Sequence, residues 1–461
     1  MKLAVLLAFA AACGPAAVRV APVPHATDAD PDGPHREAIA EQVQPYIDAE
    51  VASGIVVAVY DAGRREIYGF GTGPGGKPPD GKTLFEVGAI TKAFTGLLLA
   101  DAIQRREVQL DTPVSDLVPP GVTVPTKDNR PITLQALALH SSGLPRVPPG
   151  LAAHSTPSDP YASYGEDQLY ADLVHTQLEH APGEIIMYSN FGSGLLGFTL
   201  GRKIGGGYSG ALHARILEPL GLTSTFVVPP ANVQSRRAAG TTEDLKAASP
   251  WTWDALAGAG ALITDARDQL ALIDAEIDAG LGSSGALRRA MKLTQEAQLD
   301  HAGDNEGLGW MIDAGGRYWA NGSTGGFHAF VGFDPKTKRG VVVLASTATA
   351  LVDHLADALY KVLEGTAPPA PKFATAAQLV PYAGNYDLGG ARLQVTVEGK
   401  RLYIVGAGEP PHRLVPISDH EFWSEALQSV AVFEREHDRV TRLVFAIGDK
   451  QIAATRVDAQ P

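Results

Sequence analysis

The apolar positions change pattern several times along this chain. Residues 1–13, MKLAVLLAFAAAC, run apolar behind a single Lys2 and end in small residues. Residues 14–36 are rich in Pro, Ala and Asp and have no period, which predicts a flexible tether. From Glu37 to Val51 the apolar residues recur at helical spacing. GIVVAVYDAGRREIYGFGTG (54–73) then predicts two strands around an Asp61-Ala62-Gly63 turn.

The middle of the chain has a helical pattern over 91–106, 133–139, 166–180, 191–204, 208–218, 264–279 and 286–298, with Thr133 and Thr264 as expected N-caps. Strand patterns return in LGWMID, RYWANG, FHAFVGF and GVVVLAS and end by 346, after which LVDHLADALYKVLEG predicts a closing helix. Strands at both ends of a helical region predict one antiparallel sheet flanked by helices, with a helical subdomain inserted, an α+β arrangement. TAPPAPK (366–372) has linker composition. Beyond it, ARLQVTVEGKRLYIV alternates Leu393, Val395 and Val397 around a Gly turn, and VAVFEREHDRVTRLVFAI repeats that form. The expected organisation is a signal over 1–13, a tether over 14–36, a main domain over 37–365, a linker over 366–373 and a small all-β barrel or curled sheet over 374–461.

Composition narrows the function classes. The 461 residues leave room for one large and one small domain. The charge is 38 − 51 = −13 with no basic run, so the electrostatic footprint of a nucleic-acid partner is missing. The apolar start is too short to span a bilayer and fits a secretory signal. Cys13, the only cysteine, follows Ala10-Ala11-Ala12 and precedes Gly14. The stretch resembles a bacterial lipoprotein signal, although Ala10 stands where a Leu is usual. That resemblance implies export across the inner membrane and a periplasmic protein held to a bacterial membrane by lipid on Cys13. A single cysteine leaves no intramolecular disulfide, so the fold must rest on its core.

Three stretches could carry chemistry. In FEVGAITKAFTG (85–96), Lys92 follows Ala89 by three residues, so both sit on one side of a helix start. A hydroxyl at 89 would lie beside an amine and near the positive helix end, which favours an alkoxide; Ala89 offers nothing to deprotonate. In PGEIIMYSNFGSGLLG, Tyr188 and Asn190 are two apart, a phenol and an amide able to face one cleft. Ser189 between them should point away. WANGSTGGFHAFVGFDP is a Gly-rich entry to a strand, whose edge N–H groups suit oxyanion or peptide binding.

Together, in this order and spacing, these stretches resemble the serine β-lactamase and D-Ala-D-Ala peptidase family, in its class C β-lactamase and carboxyesterase branch. LDTPVSDLVP, ITLQALALHSSGLP, ARILEPLGLTSTFV, GAGALITDARDQLAL and GLGWMI extend the resemblance over about 37–364. The tail resembles the β-barrel appendage of many members. The family's first motif, Ser-x-x-Lys, reads Ala89-Ile90-Thr91-Lys92 here; its Tyr-x-Asn is intact as Tyr188 and Asn190. Its third, Lys-Thr-Gly or His-x-Gly, reads Ala320-Asn321-Gly322. Both the nucleophile and the third-motif basic side chain are therefore replaced by Ala. The resemblance implies an oxyanion site from the backbone N–H groups of Ala89 and Ser323, with Ala320, Asn321 and Gly322 also lining the ligand site.

Backbone donors survive a side-chain change, so the implied receptacle persists although attack from position 89 cannot. Removing such a nucleophile costs roughly 10⁶ in turnover, or roughly 8 kcal/mol of transition-state stabilisation. The leading expectation is a family member silent in the family's chemistry that binds a peptidoglycan-like peptide or another acyl ligand. The alternatives are an active acyl-serine hydrolase (β-lactamase, carboxypeptidase or esterase) in which Ala89 is an introduced replacement of Ser, and a non-serine enzyme reusing the cleft. No cofactor or metal is expected: no His-Glu-x-x-His or phosphate loop occurs, and His140 and His328 read as packing or hydrogen-bonding residues.

Overall fold

The computed structural model describes residues 33–301, 304–424, 427–447 and 450–457. Cys13, the expected signal and the expected tether up to residue 32 lie outside the described residues. The main sheet has eight antiparallel strands: β1 (Gly54–Asp61), β2 (Arg64–Gly71), β3 (Leu299–His301), β4 (Asp304–Glu306), β5 (Met311–Ile312), β6 (Tyr318–Ser323), β7 (His328–Asp334) and β8 (Arg339–Ala345). Their spatial order is β2-β1-β8-β7-β6-β5-β4-β3. The first hairpin therefore pairs with the last strand, Ile55 opposite Ala345, and both ends of the domain share one sheet.

Both sides of this sheet are covered, which is why β1 and β8 are nearly continuous apolar runs and not alternating ones. Val56, Ala58, Ala329, Val331, Val342 and Leu344 face the large helical layer. Ile55, Val57, Val59, Phe330, Val341 and Val343 face the other layer. That second layer is built by α1 (Arg36–Asp48) and the closing helix α5 (Val352–Leu363). In the helical layer, α2 (Thr91–Gln104) is buried over most of its circumference, as its run of Phe94, Leu97, Leu98 and Leu99 requires. Around it pack α3 (Asn190–Ile204) and α4 (Ala266–Gly280).

Several expected elements differ in extent, each for a local reason. Thr264 is not the cap of α4: it pairs with Phe85 in a two-residue ribbon, and Asp265 caps the helix by accepting the Asp268 N–H at 3.0 Å. Thr133 does cap its helix, accepting from the Ala136 N–H. The helix expected to reach 180 ends at His175; the chain then turns extended, and Glu179 donates its N–H to the Gly143 carbonyl. The helix from 286 stops at Thr294, whose carbonyl accepts from Leu308. Only Met311–Ile312 of LGWMID is strand, because Gly307 to Trp310 closes a turn with Gly309 at φ +86°. The helix over 208–218 is longer, Gly207 to Leu220, with a π turn at His213–Leu217.

The C-terminal part is a closed eight-stranded barrel from Gly384 to Arg456, sealed where Tyr386 pairs with Arg456. Of the two shapes the alternation allowed, closure is the one found, and it removes the unpaired edges of an open sheet. Tyr382, Phe422 and Phe433 form its aromatic centre. It docks on the main domain through Arg413, which is 3% exposed and donates to the carbonyls of Glu243 and Glu50 at 2.8 and 2.6 Å. Among the described residues no helix is long and apolar enough to cross a membrane.

Candidate functional site

The stretch 85–96 enters α2 through a tight turn, Gly88–Ile90. Gly88 sits at φ +49°, and a Cβ there would lie 2.6 Å from the Ser323 carbonyl oxygen. A Cβ on Gly322 would lie 2.3 Å from the Ala89 nitrogen. Bare glycines on both sides thus let the turn and the end of β6 touch through backbone alone. The turn's first internal bond runs from the Ile90 N–H to the Val87 carbonyl at 3.2 Å, so the Ala89 N–H precedes it and stays outside the ladder.

On the strand side, the Thr324 N–H donates to the Phe327 carbonyl at 3.0 Å across the Gly325-Gly326 turn. The next pair, Ser323 opposite His328, is by alternation the non-hydrogen-bonded kind, which turns the Ser323 N–H outward. Outward from β6, pairing with β5 reaches only Trp319, so the edge over 320–323 is open. The N–H groups of Ala89 and Ser323 therefore border one cleft of ≈ 700 Å³.

Lys92, Tyr188 and Asn190 meet in that cleft. Lys92 Nζ donates to Asn190 Oδ1 at 2.9 Å and to the Ala259 carbonyl at 2.7 Å, and lies 4.7 Å from the Tyr188 ring centre. Burial, and then the positive Arg146, pull the Lys92 pKa down to about 7. Burial pushes the Tyr188 phenol up to about 12, against the opposing pull of Arg146. Near neutral pH the phenol is thus a hydrogen-bond donor, while the lysine shares its population between amine and ammonium. Asn190 opens α3, and its Nδ2 donates to the Tyr161 hydroxyl at 3.1 Å. Ser189 points away as expected: its Oγ caps α3 by accepting from the Gly192 N–H at 2.9 Å and donates to the Pro145 carbonyl at 2.7 Å.

The loop HSSGLP holds this second motif in place. His140 sits at φ +55°, takes the Met187 N–H on its carbonyl and the Ser189 N–H on its Nδ1, and lies 4.6 Å from the Tyr188 ring. Burial, then Lys92 and Arg146, drive its pKa down to about 3, so it stays a neutral acceptor.

The third motif divides between the two sides of β6. Ala320 and Gly322 lie on the side of Lys92, and the methyl at 320 leaves no cation there. The Asn321 amide is not turned to Lys92; alternation sends it to the other side, where Nδ2 donates to Asp353 Oδ2 at 2.7 Å.

With that geometry in place, comparison with known proteins identifies the frame. A family model described as Beta-lactamase matches residues 39–366. The chain belongs to the Beta-lactamase family. It is 29% identical over 313 residues to the D-alanyl-D-alanine-carboxypeptidase/endopeptidase AmpH of Escherichia coli (strain K12), covering 64% of this chain and 80% of that protein. It is 28% identical over 345 residues to a Beta-lactamase of the same organism, covering 66% of this chain and 86% of that one. The solved structure of a class C beta-lactamase mutant shares the fold at TM-score 0.61 and 23% identity, covering 72% of this chain and 97% of that structure. The resemblance read from the motifs and the α+β architecture is thereby shown.

Beyond the family motifs, the cleft contains residues the sequence did not single out. Arg146 is exposed, lies 5.0 Å above the Tyr188 ring, and has no ion pair among the described residues. Tyr161 stacks on Trp253 at 3.9 Å with Trp251 edge-on at 5.6 Å, making an aromatic wall. Glu306 also borders the cleft, its pKa raised to about 7 by burial. For Arg146, Tyr161, Trp251 and Trp253 the only sequence signal was their place in loops, where site residues concentrate; Glu306 ends strand β4 and carried none.

Proposed function

We propose that this Beta-lactamase-family protein holds an acyl ligand in the cleft by non-covalent contacts and forms no acyl intermediate at position 89. The carrying observation is the contrast within the first motif. Lys92 is tuned to about 7 and held by Asn190 and the Ala259 carbonyl, while the adjacent turn presents only the Ala89 methyl and its backbone N–H. A carbonyl oxygen can rest on the N–H groups of Ala89 and Ser323. Arg146, a cation with no ion pair among the described residues, supplies charge that Ala320 does not. Such a site suits a peptide or acyl compound ending in a carboxylate, of which a D-alanyl-D-alanine-type cell-wall stem is the chemistry the curated relatives' names support.

The lipid anchor on Cys13 and a periplasmic, membrane-held location belong to the same proposal. They fit a protein that meets cell-wall peptides at the membrane surface. Mass spectrometry of the N-terminal peptide from cells tests the anchor: an unmodified Cys13, or cleavage elsewhere, removes it.

The cleft is tested by titrating the full chain with diacetyl-Lys-D-Ala-D-Ala and with a penicillin in a calorimeter, followed by intact-mass analysis. Saturable binding with unchanged mass supports the reading. A stable adduct on the peptide containing 85–96, or no binding to any carboxylate-bearing acyl compound, defeats it.

A further inference from the structure

The side of β6 turned away from Lys92 carries a second set of reactive groups. Ser323 and His328 form a non-hydrogen-bonded cross-strand pair, the kind that brings side chains closest. Ser323 Oγ accordingly meets His328 Nδ1 at 2.5 Å. His328 is 3% exposed, and its Nε2 meets Asp353 Oδ1 at 2.8 Å. Asp353 lies in the first turn of α5, where the helix end favours a negative charge, and its other oxygen accepts from Asn321. A carboxylate only accepts, so Nε2 carries the imidazole proton and Nδ1 is free to accept from the serine hydroxyl. Ser323 itself is exposed, and Ser323 and His328 border the same cleft as Ala89.

We propose that Ser323, His328 and Asp353 form an acyl-transfer site for carboxylic esters, distinct from the family's position 89. The arrangement supplies nucleophile, base and positioning carboxylate in hydrogen-bonded sequence. The outward N–H of Ser323, with that of Ala89, supplies the oxyanion donors, so the nucleophile's own amide takes part. Ser323 Oγ forms a bond to the ester carbonyl carbon while its proton passes to His328 Nδ1, and the displaced electron pair goes to the carbonyl oxygen. Collapse breaks the bond to the alcohol oxygen, and the alcohol leaves with the proton from His328. Water then gives a proton to Nδ1 and bonds to the acyl carbon. The acyl–Oγ bond breaks, Ser323 recovers the proton, and the sum is ester plus water to acid plus alcohol.

The site depends on the cleft's N–H donors but not on non-covalent capture of cell-wall peptides, so the two readings fail separately. The full chain is treated with a fluorophosphonate probe and assayed with p-nitrophenyl acetate. One phosphonyl group per chain, mapped to Ser323, is expected, with turnover that Ser323→Ala lowers at least about 10²-fold. Asp353→Asn tests the positioning role: kcat falls with KM little changed, and Asp353→Glu, which keeps a carboxylate facing Nε2, recovers part of the turnover. A structural role alone would lower turnover without that recovery. No label, label on another residue, or turnover surviving in Ser323→Ala overturns the proposal.

Discussion

The two sides of β6 make opposite choices. On the side of Ala320 and Gly322 stand a titrating lysine, a tyrosine and an asparagine, with Ala89 at the first position of the Ser-x-x-Lys motif. On the side of Asn321 and Ser323 stands a hydroxyl hydrogen-bonded to a histidine, which a carboxylate holds from its other ring nitrogen. Both border one cleft and share the same backbone N–H donors. Loss of a motif side chain therefore does not empty a site of chemistry, since what the strand alternates to its other side is untouched by it.

The strongest break of this contrast is Ala89→Ser. It puts a hydroxyl beside Lys92 again, and covalent capture of a penicillin on the 85–96 peptide should rise by at least about 10³-fold, read by intact mass. If capture stays at the wild-type level, the missing cation at 320 matters as much as the missing oxygen. In the same variant, fluorophosphonate should label two positions, and adding Ser323→Ala should leave one.

Closing the gap between turn and strand is the next largest perturbation. Gly322→Ala would place a Cβ 2.2 Å from the Val87 carbonyl oxygen and 2.3 Å from the Ala89 nitrogen. A loss of about 1–3 kcal/mol in urea unfolding is expected, as for other overpacked sites, together with loss of both ligand binding and ester turnover. Survival of either activity would show that one side of β6 does not need the shared donors.

Arg413→Met removes two hydrogen bonds at the barrel seam and should cost about 1–3 kcal/mol. The expected readout is an earlier, separate thermal transition for the barrel, with cleft binding unaltered. Altered binding would make the barrel part of the comparison.

The smallest effect is a slope. Burial holds Lys92 at about 7 against its ordinary 10.5. Between those pH values the unfolded chain binds the extra proton, so folding stability rises with pH across that window. Below 7 both states are protonated and the full burial penalty is present. Lys92→Met should flatten this rise, seen as a smaller difference in urea midpoint between pH 6.5 and 9.5.

The frame of the molecule was legible in the chain because it rests on local repetition. The doubly covered strands β1 and β8 are continuous apolar runs, α2 is apolar nearly all round, and the barrel strands alternate. Motif spacing likewise placed Ala89, Lys92, Tyr188 and Asn190 around one cleft, and Ser189 away from it. Element ends were less legible where a partner distant in sequence took the backbone bond, as Phe85 does for Thr264 and Leu308 does for Thr294.

What only the tertiary structure decided is which distant side chains meet. His328 looked like a packing residue, and nothing in the spacing of Ser323, His328 and Asp353 links them. Their meeting needs the cross-strand register of β6 with β7 and the seating of α5 over that side of the sheet. Arg146, Tyr161 and Trp251 reach the cleft through loops folded over from other parts of the chain, and Glu306 from the end of β4. Periodicity encodes which side of an element is buried; it does not encode which other element covers it, because that depends on contacts between residues far apart in sequence.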